Sequence, residues 1–231
     1  MASEQGSSQM DATLGRRIEP RDFVETFNPR ALRKETYLLY EIRWTSSKIW
    51  RNSNRNTTHH AEVNFIEKHT SEGRIRPRTS CCITWFLSWS PCWECARVIK
   101  EFLSQHPKVK LVINAARLFH HTDPQNRQGL RDLVASGVTI KIMGMSEYCY
   151  CWEQFVNYLP GEEAFWPRYT PDPMMMFALE LQCIILNLPP CLKISNSHQN
   201  QPAFFNLTLQ NCHYEAFYLL ALGLLTVFCR N

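Results

Sequence analysis

The sequence predicts a layered α/β domain, one mixed sheet with helices on its faces, followed by a small hydrophobic C-terminal subdomain. Three observations predict it. Strand-like and helix-like stretches alternate from Tyr37 to Leu186. The 231 residues are 45% hydrophobic and only 20% charged, which suits a sizeable core and excludes a largely disordered chain. At Pro189-Pro190 the alternation stops, and beyond it the only charged side chains are Lys193, Glu215 and Arg230. The expected division is a polar tail over 1–15, the layered domain over 16–188, and an apolar subdomain over 189–231 for association or partner docking.

Taken in order, Asn28-Pro29 reads as a helix cap and first position. Tyr37 to Trp44 is aromatic and β-branched enough for a strand, with Lys48 to Arg51 as its hairpin partner. Ala61 to Lys68 has helical spacing, with Val63, Phe65 and Ile66 on its apolar face. Cys81 to Ser88 reads as a buried strand, and Ser90-Pro91 opens a helix whose inner face is Val98, Ile99, Phe102 and Leu103. Then come a strand over Val109 to Ala116, a helix over Asn126 to Ala135 and a strand over Val138 to Met143. Cys149 to Tyr158 and Met174 to Leu186 read as helices. The longest strongly apolar run, Phe217 to Phe228, is too short to span a bilayer, so no membrane partner is expected.

Charge is unevenly spread. The net +4 divides into 19 Lys+Arg against 12 Asp+Glu over residues 1–120, and 6 against 9 over 121–231. A basic first half suggests a polyanion partner. The ten cysteines follow an N-terminus, MASEQGSSQMDATLGRR, that has no apolar signal run. Reduced thiols are therefore expected, as metal ligands or as buried packing groups.

The chemistry gathers in two short motifs. His60-Ala61-Glu62 opens one expected helix, and Pro91-Cys92-Trp93-Glu94-Cys95 opens another. Alone, a C-x-x-C could be a redox pair or half a structural zinc site. Together, His60, Cys92 and Cys95 supply three ligands and leave a fourth tetrahedral position for water, the layout of catalytic zinc. Helix N-termini favour thiolates at both cysteines. Glu62 is close enough to serve as proton carrier without being a ligand.

This H-x-E…P-C-x-x-C pattern, with Thr84-Trp85-Phe86-Leu87-Ser88-Trp89-Ser90-Pro91-Cys92 and Ala116-Arg117-Leu118-Phe119, resembles the AID/APOBEC zinc-dependent polynucleotide cytidine deaminases. Arg33-Lys34-Glu35, Leu39-Tyr40-Glu41-Ile42, Asn126 to Val134 and Leu188 to Ile194 are similar to the apolipoprotein B mRNA-editing branch of that family. The likeness runs from about residue 14 to 214 and is poor after Glu215. It implies a cytidine-deaminase-like α/β/α fold on a mixed five-stranded sheet, one catalytic zinc ion, and single-stranded RNA and DNA as substrates. It further implies C-to-U editing of apolipoprotein B messenger RNA with an RNA-binding complementation factor, a homodimer, and shuttling between cytoplasm and nucleus.

Residue by residue, the resemblance makes Glu62 the catalytic acid–base and Trp89 a wall of the cytosine pocket. It places Phe119, with Arg117, His120 and His121, against the nucleotide before the target, and Asn56 against a sugar. Arg16, Arg17, Arg33, Lys34, Arg51, Arg55 and Arg117 are candidate phosphate contacts. Phe65 and Phe86 resemble positions tied to RNA binding, though their spacing favours core. Two other readings stay open: a nucleoside-salvage deaminase, and a catalytically idle RNA-binding or assembly scaffold.

Overall fold

A computed structural model describes residues 17–31, 33–44, 48–159, 169, 171–196 and 205–209. Among these, six helices and a five-stranded sheet form the body, and a separate two-stranded hairpin follows. Helix α1 spans Pro20–Phe27, and strands β1 (Tyr37–Trp44) and β2 (Ile49–Arg55) form an antiparallel hairpin. Then come α2 (Ala61–Ser71), β3 (Cys81–Leu87), α3 (Trp93–Gln105), β4 (Val109–Ala115), α4 (Pro124–Ala135), β5 (Thr139–Ile142), α5 (Met145–Phe155) and α6 (Pro171–Ile185). Strands β6 (Leu192–Asn196) and β7 (Phe205–Leu209) make the second hairpin.

The sheet order is β2-β1-β3-β4-β5. Strand β1 is antiparallel to both neighbours, while β3, β4 and β5 run parallel through the α3 and α4 crossovers. Side-chain alternation sorts the two faces. Leu38, Tyr40, Ile42, Ile83, Trp85, Leu87, Leu111 and Ile113 pack under α2, α3, α4 and α6, against Phe65, Ile99, Phe102, Leu130 and Phe177. Leu39 and Phe86 face the other way, onto Phe23 and Phe27 of α1 and Tyr148, Trp152 and Phe155 of α5. The result is the expected three-layer α/β/α stack. Phe65 and Phe86 are both core residues, at 0% and 4% exposure. Each of the eight described cysteines carries a free thiol. No described helix is long and apolar enough to cross a membrane.

Several local expectations shift. Asn28-Pro29 starts no helix; the helix lies upstream, with Pro20 in its first turn and Asn28 at its C-cap. There the Asn28 side chain accepts from the Arg30 amide at 2.9 Å. The helix expected from Cys149 begins at Met145, because the Glu147 carboxylate accepts from the Gly144 amide at 2.8 Å and closes the first turn. Helix α3 starts at Trp93, with Cys92 rather than Ser90 as its N-cap. In the C-terminal segment, Leu192 is 3% exposed and joins the core under α6. The apolar stretch 217–228 lies outside the described residues.

A parallel sheet leaves its loops at the carboxyl ends of the strands, which is where ligands bind in such folds. The segments after β3 and β4 meet there. The antiparallel β1 brings its own start to the same edge, through the Tyr37 amide donating to Ser88 Oγ at 3.0 Å. Asn56 ends β2 beside it, exchanging two backbone-directed bonds of 3.0 Å with Thr36.

Candidate active site

His60 caps α2 in extended conformation and Cys92 caps α3. The segment before His60 is pinned by Asn64, whose side-chain amide donates to the Arg55 and His59 carbonyls at 3.1 and 3.2 Å. The start of α3 is pinned by Asn126, whose side-chain oxygen accepts from the Trp93 amide at 2.8 Å. These anchors bring His60 Nδ1 to 3.2 Å from Cys95 Sγ and 3.5 Å from Cys92 Sγ. All three ligand atoms lie within 4.8 Å of one another, the sole such group among the described residues. Tetrahedral zinc with nitrogen at ~2.1 Å and sulfur at ~2.3 Å spaces such atoms by about 3.5 Å. The donor set and its spacing therefore fit a zinc ion.

The electrostatics suit a metal site. The Cys95 thiol hydrogen-bonds Cys92 and, with the α3 N-terminus, holds the Cys92 thiol well below its ordinary pKa. The same partnership pushes Cys95 up, since two bare thiolates cannot sit together without a cation. Glu62, in the first turn of α2, is 3% exposed beside them. Burial pushes its pKa up to about 7, and the Cys92 charge adds to the effect. A dication next to it pulls in the opposite direction.

Trp89, three residues before the ligand Cys92, also borders a groove of about 700 Å³ that none of the ligand residues lines. Trp89 and Phe119 line it edge to face, with centroids 6.3 Å apart, and Arg33, Lys34, His120 and His121 line it too. The Trp89 indole N–H donates to the Arg33 carbonyl at 2.9 Å, and the Phe119 amide donates to Ser90 Oγ at 3.0 Å. The groove thus has an aromatic floor fixed by backbone bonds and a cationic rim.

Comparison with known proteins agrees with this geometry. The sequence profile of the APOBEC4-like AID/APOBEC deaminases matches residues 26–158. The chain belongs to the AID/APOBEC deaminases. It is 65% identical over 229 residues to the "C->U-editing enzyme APOBEC-1" of Oryctolagus cuniculus and 64% identical to that of Homo sapiens, covering 97% of each chain. The "DNA dC->dU-editing enzyme APOBEC-3G" of Lagothrix lagotricha is a more distant relative, 33% identical over 61% of this chain and 40% of its own.

Within this AID/APOBEC site, three expected substrate residues take other roles. Arg117 is 0% exposed. Its guanidinium donates to the carbonyls of Ser88, Asn28, Ala31 and Thr26 at 2.6 to 3.0 Å and lies 4.1 Å under the Trp89 ring. Burial lowers its pKa to about 10, still far above neutrality, so it is a buried structural cation and not a phosphate contact. Arg51 is held by Glu41 at 3.0 Å and Tyr150 at 3.2 Å, an internal counter-ion. His121 is 5% exposed and its Nδ1 lies 3.5 Å from a Glu180 carboxylate oxygen. Its neighbour His120 is exposed and edges onto Phe119 at 4.3 Å.

The other expected contacts divide between two hollows. Arg33 stays half exposed while paired with Glu25, and Lys34 is exposed. Arg17 and Arg55 line a separate hollow of about 350 Å³ with Tyr37 and Asn54. Arg16 lies outside the described residues. Sequence reasoning missed Ser90 and Asn126 as loop anchors, and also the buried pair Arg127 and Glu180. Asp123-Pro124 three residues before Arg127 was a legible helix start, but nothing local marked its ion-pair partner 53 residues away.

Proposed function

We propose that this AID/APOBEC deaminase is a zinc-dependent hydrolase that converts cytidine to uridine within single-stranded polynucleotides. Its principal reaction is C-to-U editing of apolipoprotein B messenger RNA beside an RNA-binding complementation factor, and single-stranded DNA is a second substrate. The observation that carries the reading is the buried Glu62 carboxylate set against the His60, Cys92 and Cys95 cluster; the aromatic groove with a cationic rim, bordered by Trp89 three residues before Cys92, adds to it.

His60, Cys92 and Cys95 would hold the zinc ion, which would lower the pKa of a water at its open position toward neutrality. Glu62 takes a proton from the attacking water and delivers it to N3 of cytosine, which makes C4 electrophilic. After attack at C4, Glu62 takes the second water proton from the new C4 hydroxyl and gives it to N4, the C4–N4 bond breaks as the C4 carbonyl forms, and water and cytosine become uracil and ammonia. One carboxylate acts as base and then as acid, which its burial beside the ligand cluster supports. Trp89 and Phe119 exclude water and hold unstacked bases, and Arg33 and Lys34 attract the backbone. Homodimer assembly and nuclear–cytoplasmic shuttling belong to the same reading: the first rests on the family resemblance, since Leu179, Leu181 and Ile184 are buried in the chain's own core, and the second is supported by Arg16-Arg17.

The test is uracil formation from cytosine-containing RNA, single-stranded DNA and free cytidine, by the wild type and by Glu62→Gln. Glu62→Gln should bind zinc and lose at least about a thousandfold in rate. Activity on free cytidine alone would replace this reading with nucleoside salvage, and zinc-loaded wild type inert on every substrate would replace it with a scaffold.

A further inference from the structure

The geometry points to strand β6 of the C-terminal hairpin as the second wall of the polynucleotide groove, with Lys193 on that wall binding a backbone phosphate. This rests on the proposed reading of a single-stranded polynucleotide substrate. Pro190, Leu192, Lys193 and Ile194 border the groove with Phe119 and His120, and since Leu192 and Ile194 pack into the core, the alternation of β6 turns Lys193 to the opposite, exposed face. A single strand lying in that space meets the Trp89 and Phe119 rings, on which an unstacked base can rest, and the exposed Lys193 of β6. None of the lining residues is acidic, and three are cations: Arg33, Lys34 and Lys193. Lys193 is exposed and pairs with no carboxylate among the described residues.

What makes β6 a built wall is the buried carboxylate behind it. Glu180 of α6 is 0% exposed. One of its oxygens accepts from the Cys191 and Leu192 amides, each at 2.8 Å, and so fixes the start of β6. The other is bound by Arg127, which also donates to the His121 carbonyl at 3.0 Å and to the Leu188 carbonyl. A single ion pair therefore clamps both walls, the loop that carries Phe119 and the strand that carries Lys193.

The test uses the full-length zinc-loaded chain with Glu62→Gln, so that substrate binds without turnover. Binding of fluorescein-labelled, cytosine-containing single-stranded DNA and RNA oligonucleotides is read by anisotropy at several salt concentrations. Lys193→Glu is compared with Lys141→Glu, an exposed change of equal charge on β5. Lys193→Glu should weaken binding about fivefold more than Lys141→Glu and lower the salt slope by about 0.7. Lys193→Ala should fall between Lys193→Glu and the parent. Equal losses from Lys193→Glu and Lys141→Glu, with the parent binding well, overturn the second wall and leave the proposed function standing. A parent that binds neither oligonucleotide overturns the function itself.

Discussion

Replacing Arg117 by lysine separates a structural cation from a substrate contact. The guanidinium donates four hydrogen bonds, to Ser88, Asn28, Ala31 and Thr26, and its carbon lies 4.1 Å from the centroid of the Trp89 ring. An ammonium has three donors at one point and no planar face. At least one of the four carbonyls then loses its partner, at about 1–2 kcal/mol for a bond to a charged group. The lost guanidinium contact with Trp89 adds about 1 kcal/mol. Arg117→Lys should therefore cost about 2–3 kcal/mol, a fall in Tm of roughly 5–10 °C for a chain of this size. Arg117→Ala, with all four carbonyls stranded, should cost more, about 4 kcal/mol. The assay is thermal unfolding of the zinc-loaded protein, run beside KM for a single-stranded oligonucleotide at a temperature where both forms are folded. A Tm within 2 °C of wild type together with a tenfold rise in KM would refute the structural role and restore Arg117 as a phosphate contact.

Other outcomes follow from the same geometry. Cys92→Ser should reduce bound zinc from one ion per chain to near zero, measured by elemental analysis after dialysis, because it removes a thiolate ligand while the serine hydroxyl can still cap α3. His69 is buried, and that burial, with the Arg74 charge, lowers its pKa to about 4 against an ordinary 6.5. The unfolded chain takes up a proton that the native state refuses, so stability should be full above about pH 6.5 and decline toward pH 4, by at most about 3 kcal/mol. Urea midpoints at pH 7.5 and 5 should converge in His69→Gln. A Cβ on Gly129 would stand 3.1 Å from both the Trp93 backbone and the Ala96 side chain. Gly129→Val should therefore force α4 off α3, costing about 1–3 kcal/mol and loosening zinc, read as faster metal loss to a chelator.

The chemical centre was legible because its ligands sit in short motifs at helix starts, where spacing alone fixes geometry. Tyr37–Trp44 appears as a strand at its expected bounds, since its apolar residues fill both faces of a central strand. What escaped the sequence depends on partners far along the chain. Arg117 looks like a surface arginine until the carbonyls of residues 26 to 31 fold over it, 86 to 91 positions away. His121 and His120 are adjacent in sequence, yet one is buried against Glu180 and the other exposed, a difference set by a backbone turn with φ 38° at His120. Asn28-Pro29 misled because the same residue types close a helix as well as open one.

The bracing of the groove also bears on which form of nucleic acid it can accept. Trp89 is tied to Arg33 and set against Arg117, Phe119 is tied to Ser90, and α1 is locked to the same loops through Thr26 and Asn28. Walls held this way lose little freedom when a ligand arrives. The entropy lost on binding then falls almost wholly on the polynucleotide, which must arrive already unpaired and bendable. A strand stiffened by pairing meets a receptor that does not reshape to meet it, so local melting of the substrate, rather than motion of the enzyme, sets how fast each cytidine becomes accessible.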